Sequence, residues 1–111
     1  MYARKLFMKL NNGTDAPELT LRLEEIILPM LRGAKGFRDI ISFVTLGRTE
    51  ALAISFWDSK VSADAYNRDQ YPDVLKALEG LLNGNPRVES CEVGMSTLHE
   101  LAAVPAYATL A

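Results

Sequence analysis

The sequence predicts a single α+β domain whose elements follow in the order strand, helix, strand, strand, helix, strand. Two observations carry this prediction. Apolar side chains repeat at steps of two residues in four short segments and at steps of three or four residues in two longer ones, which are the periods of strands and helices. The length of 111 residues is close to the commonest size of one domain. A βαββαβ chain normally adopts the ferredoxin-like fold, a four-stranded antiparallel sheet with both helices on one face.

The first strand is predicted over residues 3–10, where the side chains alternate in character. An Asn-Asn-Gly turn at residues 11–13 ends it, and Pro17 suits the first turn of a helix, where its missing N–H is harmless. The apolar side of that helix consists of Leu19, Leu23, Ile26, Ile27, Met30 and Leu31. Pro29 removes one helical hydrogen bond and clashes with the carbonyl group of Glu25, which predicts a kink or an irregular last turn.

Strands two and three are predicted over residues 37–46 and 51–57, because both segments are rich in β-forming residues. The short polar segment 47–50 between them is typical of a hairpin connection. Two sets of side chains point to opposite faces of strand three, namely Leu52, Ile54 and Phe56 on one face and Ala51, Ala53, Ser55 and Trp57 on the other. Since neither set is strongly polar, we expect both faces of the sheet to be covered.

The second helical region is predicted to begin after Ser59, which can cap it. It is divided before Pro72, because the residue that precedes a proline is pushed out of helical geometry. Residues 88–95 are predicted to form strand four, in which we expect Cys91 to be a small buried residue. These elements place the domain at residues 1–96 and leave residues 97–111 as an apolar tail, packed on the domain or on a partner subunit.

Composition argues against several classes of partner. The net charge is −2, and no stretch of the chain concentrates Lys or Arg, so we expect no nucleic acid partner. No uncharged segment approaches the about 20 apolar residues that a membrane helix needs. One cysteine cannot form an intrachain disulfide, and the apolar run at the start is too short for a secretion signal. We therefore expect a cytoplasmic protein.

The predicted fold leaves one face of the sheet without helices, and this bare face is expected to be apolar. Contiguous apolar areas of more than a few hundred Å² usually mark a contact surface. Pairing two such faces around a twofold axis would cover both of them. The sequence thus predicts a homodimer.

Several segments together resemble one family. They are Pro29 followed by Gly36-Phe37, the junction Ser55-Phe56-Trp57-Asp58-Ser59, the segment Tyr71-Pro72-Asp73-Val74-Leu75, and residues 88–93. In this order they resemble the antibiotic biosynthesis monooxygenase-like domains of the dimeric α/β barrel superfamily, over nearly all of residues 3–96. The resemblance implies a homodimer with a pocket between sheet and helices in each subunit. Some members oxidise polycyclic phenols with molecular oxygen and without metal or flavin, others degrade haem, and many have no known activity.

Four residues are candidates for substrate binding on the basis of the resemblance. Trp57 matches a tryptophan that lines the pocket in haem-degrading members, where its indole could stack on a flat ligand, although it could equally plug the end of the core. Tyr66 and Tyr71 could orient a phenol, or could simply pack by their rings. Asn11 lies near the position of a pocket asparagine in the haem-degrading enzymes, and it also suits an ordinary turn.

The same resemblance argues against haem. The haem-degrading enzymes supply an axial histidine from helix two, where this chain has none, and the single histidine, His99, lies in the tail. Cys91 has no histidine near it in the sequence to form a nucleophile pair, and His99, Glu100 and Cys91 match no known metal-ligand spacing. We therefore predict no metal and no cofactor.

Two functions remain open at this stage. The first is a small-molecule-binding homodimer that oxidises an aromatic or quinol-type substrate without a cofactor. The second is a non-catalytic ligand-binding or interaction domain whose pocket is filled by its own side chains. An open cavity beside Trp57 would favour the first function, and a tightly packed Trp57 would favour the second.

Overall fold

A computed structural model of the chain describes residues 1–97, so His99 and nearly all of the predicted apolar tail of 97–111 lie outside the described residues. The elements are β1 (Tyr2–Lys9), a 3-10 turn (Gly13–Asp15), α1 (Ala16–Arg22), a π turn (Leu23–Ile27), α2 (Leu28–Arg32), β2 (Phe37–Val44), β3 (Glu50–Trp57), α3 (Lys60–Asp69), α4 (Tyr71–Ala77) and β4 (Arg87–Glu92). No helix in the described part of the chain is long and apolar enough to span a membrane.

The four strands form one antiparallel sheet in the order β2-β3-β1-β4. β1 lies in the interior of the sheet, where Tyr2 pairs with Trp57 of β3 and with Glu92 of β4. The helices cover one face, and the main core lies between them and the sheet. This arrangement confirms the predicted ferredoxin-like α+β fold.

The core combines alternate residues of the central strands with one side of each helix. Its most deeply buried large side chains are Trp57, Met8, Leu19, Leu31, Leu78 and Val74. The predicted alternation in β3 is confirmed, because Ala51, Ala53 and Trp57 belong to this core while Leu52 and Ile54 face the opposite side and are half-buried. Ser59 caps α3 as predicted, with its hydroxyl oxygen accepting a hydrogen bond from the Ser62 N–H at 3.3 Å.

Pro29 affects the first helical region one turn earlier than predicted. The turn before it, Leu23–Ile27, is a π turn in which the Leu28 N–H donates to the Leu23 carbonyl five residues back. Widening this turn accommodates a proline that would otherwise clash with the carbonyl four residues before it. One predicted core residue is displaced as a result, since Ile26 is 46% exposed while Ile27 is buried.

The face of the sheet away from the helices, hereafter the open face, is only partly apolar. Toward the end of the sheet where β1 begins and β3 ends, it carries a second apolar cluster, formed by Ala3 and Phe56 with Met1, Ile41, Ile54 and Val93. Around β1 and β4 it carries charges, with Lys5 and Glu89 paired at 3.4 Å and Arg87 stacked over the Phe7 ring at 4.0 Å. Cys91 lies on this face and is exposed in the single chain, so the prediction that it is buried is wrong for one subunit by itself.

Candidate functional site

Trp57 ends β3 at the point where the chain turns into α3, and it is completely buried. The Phe37 ring meets it edge-on with the ring centroids 5.6 Å apart, and the Tyr66 ring lies 4.9 Å from it on a tilted plane. The indole Nε1–H donates to the Ser55 hydroxyl oxygen at 2.9 Å. Ser55 precedes Trp57 by two residues on the same strand, so both side chains face the helices.

Tyr66 and Tyr71 extend this stack of rings toward the surface. Tyr66 lies on α3 and is 6% exposed, whereas Tyr71 begins α4 and is half-buried, with the two ring centroids 6.4 Å apart. The predicted division of this helical region is present, but the break falls at Gln70, one residue before the predicted position, and Tyr71 is itself helical. Trp57, Tyr66 and Tyr71 thus form one continuous row, hereafter the aromatic row.

The environment keeps both tyrosine hydroxyls protonated at neutral pH. Burial raises the pKa of Tyr66 to about 12, against the opposing effect of the nearby Arg4 charge. Burial also raises the pKa of Tyr71, and Arg4 opposes that shift both by its charge and by a hydrogen bond. Neither side chain can therefore act as a general base near neutral pH, although each can donate a hydrogen bond.

Arg4 is a member of the site that the sequence did not single out. It is 4% exposed, and its guanidinium carbon lies 4.1 Å from the centroid of the Tyr71 ring and 5.4 Å from that of Tyr66. Its Nη2 donates to the Asn67 side-chain oxygen at 2.6 Å. The sequence did indicate that Arg4 points inward, because the alternation of β1 places it on the same face as the buried Leu6.

A small cavity lies beside the aromatic row, between the sheet and the helices. Its volume is about 30 Å³, and its lining includes Arg4, Ser55 and Tyr66 together with aliphatic side chains of the core. A space of this size holds about one water molecule and no flat aromatic compound. In this conformation the interior is therefore closed to a larger ligand.

Asn11, the fourth predicted site residue, is not part of this group. It follows β1 at the end remote from Tyr2, and Tyr2 is the residue that pairs with Trp57. Nine residues of extended chain span roughly 30 Å. Asn11 is exposed, and its side-chain Nδ2 donates to the Gly80 carbonyl at 3.1 Å. The structure therefore brings together three of the four predicted residues.

Comparison with solved structures gives matches of the same overall shape. A monooxygenase encoded by ActVA-Orf6 of Streptomyces coelicolor, solved with the ligand nanaomycin D, is 16% identical, with 87% of this chain and 90% of that chain covered at a TM-score of 0.74. A candidate antibiotic biosynthesis monooxygenase from Deinococcus radiodurans is 16% identical, with coverage of 86% and 95% and a TM-score of 0.68. NE2512, a protein of unknown function from Nitrosomonas europaea, is 17% identical, with coverage of 87% and 92% and a TM-score of 0.69.

Comparisons by sequence add nothing to this result. No protein-family model matches the chain, and no curated protein matches it. Identities of 16% and 17% establish a shared fold without establishing a shared activity. The chain has the fold of the antibiotic biosynthesis monooxygenase-like domains, as its resemblance to them predicted.

Proposed function

We propose that this protein binds a flat aromatic molecule between its sheet and helices, and that it oxidises a phenol or quinol there with molecular oxygen and without a cofactor. The observation that carries the proposal is the aromatic row, in which Trp57 and Tyr66 lie 4.9 Å apart and Tyr71 leads toward the surface. Offset and tilted rings at such distances present faces and edges on which a planar ligand can stack. A solved structure of the same fold is a monooxygenase with nanaomycin D bound.

The site would act on such a ligand by orientation and by electrostatics. The tyrosine hydroxyls, which stay protonated at neutral pH, can donate hydrogen bonds to a ligand oxygen. A ligand can enter the cavity of about 30 Å³ only if the side chains around it move. Tyr71 lies at the outer end of the row and is half-buried, so we expect its side chain to move first. Movement of one side chain at the edge of a helix is a common way for a binding site to open.

The proposed functional unit is a homodimer formed through the open face. Phe43 is 53% exposed there, and an open depression of about 670 Å³ lies beside it, lined partly by Phe7, Leu52 and Arg87. Exposed aromatic and arginine side chains of this kind are enriched at protein interfaces. A second copy of the chain would cover this depression together with the apolar cluster around Phe56.

A non-catalytic domain with a self-filled pocket is the second candidate. The complete burial of Trp57 and the small volume of the cavity favour it. Under this alternative the aromatic row is a packing device, and flat aromatic compounds do not bind between the sheet and the helices.

Binding of 1-naphthol separates the two candidates. Trp57 is the only tryptophan of the chain, so its fluorescence reports directly on the aromatic row. The proposal expects 1-naphthol to quench this fluorescence in a saturable way and to raise the melting temperature. It further expects oxygen uptake in metal-chelated buffer with formation of 1,4-naphthoquinone, since one naphthol and one O₂ give one naphthoquinone and one water. Binding without oxygen uptake would overturn the catalytic part, and no binding of any flat aromatic compound would overturn the whole proposal.

A further inference from the structure

Arg4 carries a positive charge into the protein, and within residues 1–97 it has no ion-pair partner. In the part of the chain that the structure describes, no carboxylate oxygen lies within 4 Å of its guanidinium group, and the ion pairs found there involve other residues. A guanidinium group has five N–H donors, and the hydrogen bonds to Asn67 and to the Tyr71 hydroxyl use two of them. Burying a charge without a counter-ion is costly even where aromatic rings lie over it. The site therefore has the buried positive charge and the N–H donors expected of an anion receptor.

The exposed strand beside Arg4 leaves a route by which an anion can reach the guanidinium group. Ser90 of β4 is the cross-strand partner of Arg4 and projects from the same face of the sheet. All six residues of β4 are exposed, so the helices leave the strip of sheet beside Arg4 uncovered. We call this strip, formed by Val88, Ser90 and Glu92, the β4 shelf. A flat ligand on the shelf would lie over Ser90, and the edge of the ligand would contact Arg4 and the exposed Asn67.

We propose that Arg4 binds an anionic oxygen of a planar ligand that lies on the β4 shelf against Tyr71. The inference rests on the proposed aromatic-binding function, and it places the ligand at the edge of the layer between sheet and helices, where Tyr71 meets the β4 shelf. It specifies the substrate class, an aromatic molecule that carries a carboxylate or a phenolate group. Guanidinium groups bind such oxygens through charge-assisted hydrogen bonds, which are stronger than bonds between neutral groups. An anion at Arg4 would supply the missing counter-charge and keep the ring of the ligand next to the Tyr71 ring.

Glu92 provides an internal check on this assignment. It lies on the β4 shelf two residues beyond Ser90, where its negative charge opposes the binding of an anion. Removing that charge should strengthen anion binding. If Glu92 instead served as the counter-ion of Arg4 in solution, removing it would weaken binding or lower the stability of the protein.

The test compares 2-naphthoate with 2-naphthamide, which has the same shape and no charge, by quenching of Trp57 fluorescence in the full chain. We expect naphthoate to bind at least about tenfold more tightly, which corresponds to one charge-assisted contact. In Arg4→Gln this preference should disappear, because naphthoate should lose more affinity than naphthamide, and in Glu92→Gln it should increase. Arg38→Gln, which removes an exposed arginine that pairs with Asp58 at 3.2 Å, is the matched control and should keep the preference.

Several results would overturn the inference. They are equal binding of the two probes by the natural protein, an unchanged preference in Arg4→Gln, and weaker naphthoate binding in Glu92→Gln. If Arg4→Gln does not fold, Arg4→Lys takes its place, because it keeps the charge without the planar fork and should retain only part of the preference. Binding of naphthamide without any preference overturns the role of Arg4 alone, whereas failure of both probes and of 1-naphthol overturns the proposed function as well.

A third probe, 2-naphthol, distinguishes whether the anionic oxygen of the ligand belongs to a phenolate or to a carboxylate group. A phenolate site is supported if the affinity for 2-naphthol rises as the pH passes the pKa of the naphthol itself, below the range in which Tyr66 titrates. A carboxylate site is supported if the affinity for 2-naphthol stays constant over that range while naphthoate still binds.

Discussion

The indole N–H of Trp57 donates to the hydroxyl oxygen of Ser55 at 2.9 Å, and both residues are buried. This bond gives the only tryptophan of the chain a polar partner inside an otherwise apolar layer. A buried indole usually finds such a partner, because leaving its N–H unpaired costs free energy. The pair therefore fixes the orientation of the ring at the inner end of the aromatic row.

Replacing Ser55 by alanine tests this pairing. We expect Ser55→Ala to lower the free energy of unfolding by about 1–3 kcal/mol, because the buried indole N–H loses its acceptor. In a Trp57→Phe background the same substitution should cost less than about 0.5 kcal/mol, since no N–H is left to satisfy. Urea unfolding followed by circular dichroism measures both values. Equal losses in the two backgrounds would show that Ser55 acts through packing or through its 3.5 Å hydrogen bond to the Arg4 carbonyl, and not through the indole.

Gly36 is predicted to be intolerant of a side chain. Its backbone has a φ of +84°, and an added Cβ would overlap the Ser62 hydroxyl and come within 2.5 Å of the Ser62 Cβ. Gly84 has a similar φ of +81° but open space around it, which makes it the matched control. We expect Gly84→Ala to cost about 1 kcal/mol of stability from backbone strain alone.

For Gly36→Ala we expect a loss about 2 kcal/mol greater than that of Gly84→Ala, because steric overlap adds to the strain. Combining it with Ser62→Gly should recover most of this extra loss. The measurement is the midpoint of urea unfolding for the three variants and the natural protein. Equal costs at Gly36 and Gly84 would contradict the close approach of Ser62.

The buried hydroxyl of Tyr66 predicts a loss of stability in alkali. Its pKa is about 12 in the folded protein and about 10 in the unfolded chain. The contribution of the neutral, buried hydroxyl to the free energy of unfolding is therefore complete below pH 10 and is lost as the pH rises toward 12. A shift of this size corresponds to about 2–3 kcal/mol. Tyr66→Phe should therefore lose about 2–3 kcal/mol less than the natural protein between pH 9 and pH 12, as measured by urea unfolding at each pH.

Tyr71→Phe is the comparison for that experiment. Burial raises the pKa of Tyr71 in the same direction, but this side chain is only half-buried, so removing its hydroxyl should protect less. If both variants lose stability in alkali as steeply as the natural protein, desolvation of Tyr66 is not the cause.

Association through the open face is tested by the mass of the protein in solution. We expect light scattering at micromolar concentration to give about twice the mass of one chain. Phe43→Lys places a charge on the open face and should shift the protein toward the monomer, since burying an unpaired charge at an interface is costly. Val61→Lys is the control, because Val61 is 78% exposed on α3, away from the open face. A monomeric natural protein, or equal effects of the two variants, would exclude this interface.

The order of elements and the faces of the central strands were accessible from the sequence, because apolar side chains alternate along β1 and β3. Two errors have a physical origin that the pattern does not carry. Ile26 was placed in the core because the helical period was taken as constant, whereas Ile26 lies within the π turn Leu23–Ile27, where each turn contains more residues. The charges on the open face were underestimated because the pairing of Lys5 with Glu89 depends on the register of β1 against β4.

The sequence predicted only part of the candidate site. Trp57, Tyr66 and Tyr71 were identified from the order of motifs, and the fold brings them together. Arg4 was missed because arginine is expected at the surface, even though its place in the alternation of β1 pointed inward. Asn11 was included because it lies near the position of a pocket asparagine in the haem-degrading enzymes, and β1 carries it to the opposite end of the sheet from Trp57.

β1 is an interior strand whose successive side chains enter two different compartments. Arg4 and Leu6 point into the layer beneath the helices, while Lys5 and Phe7 point to the open face. Single substitutions at successive positions of this strand should thus have alternating effects. A change at Arg4 should alter the proposed ligand binding, and a change at Lys5 or Phe7 should alter the proposed association through the open face. Sliding the strand by one residue would exchange the two sets, so a shift in the register of β1 would alter both properties at once.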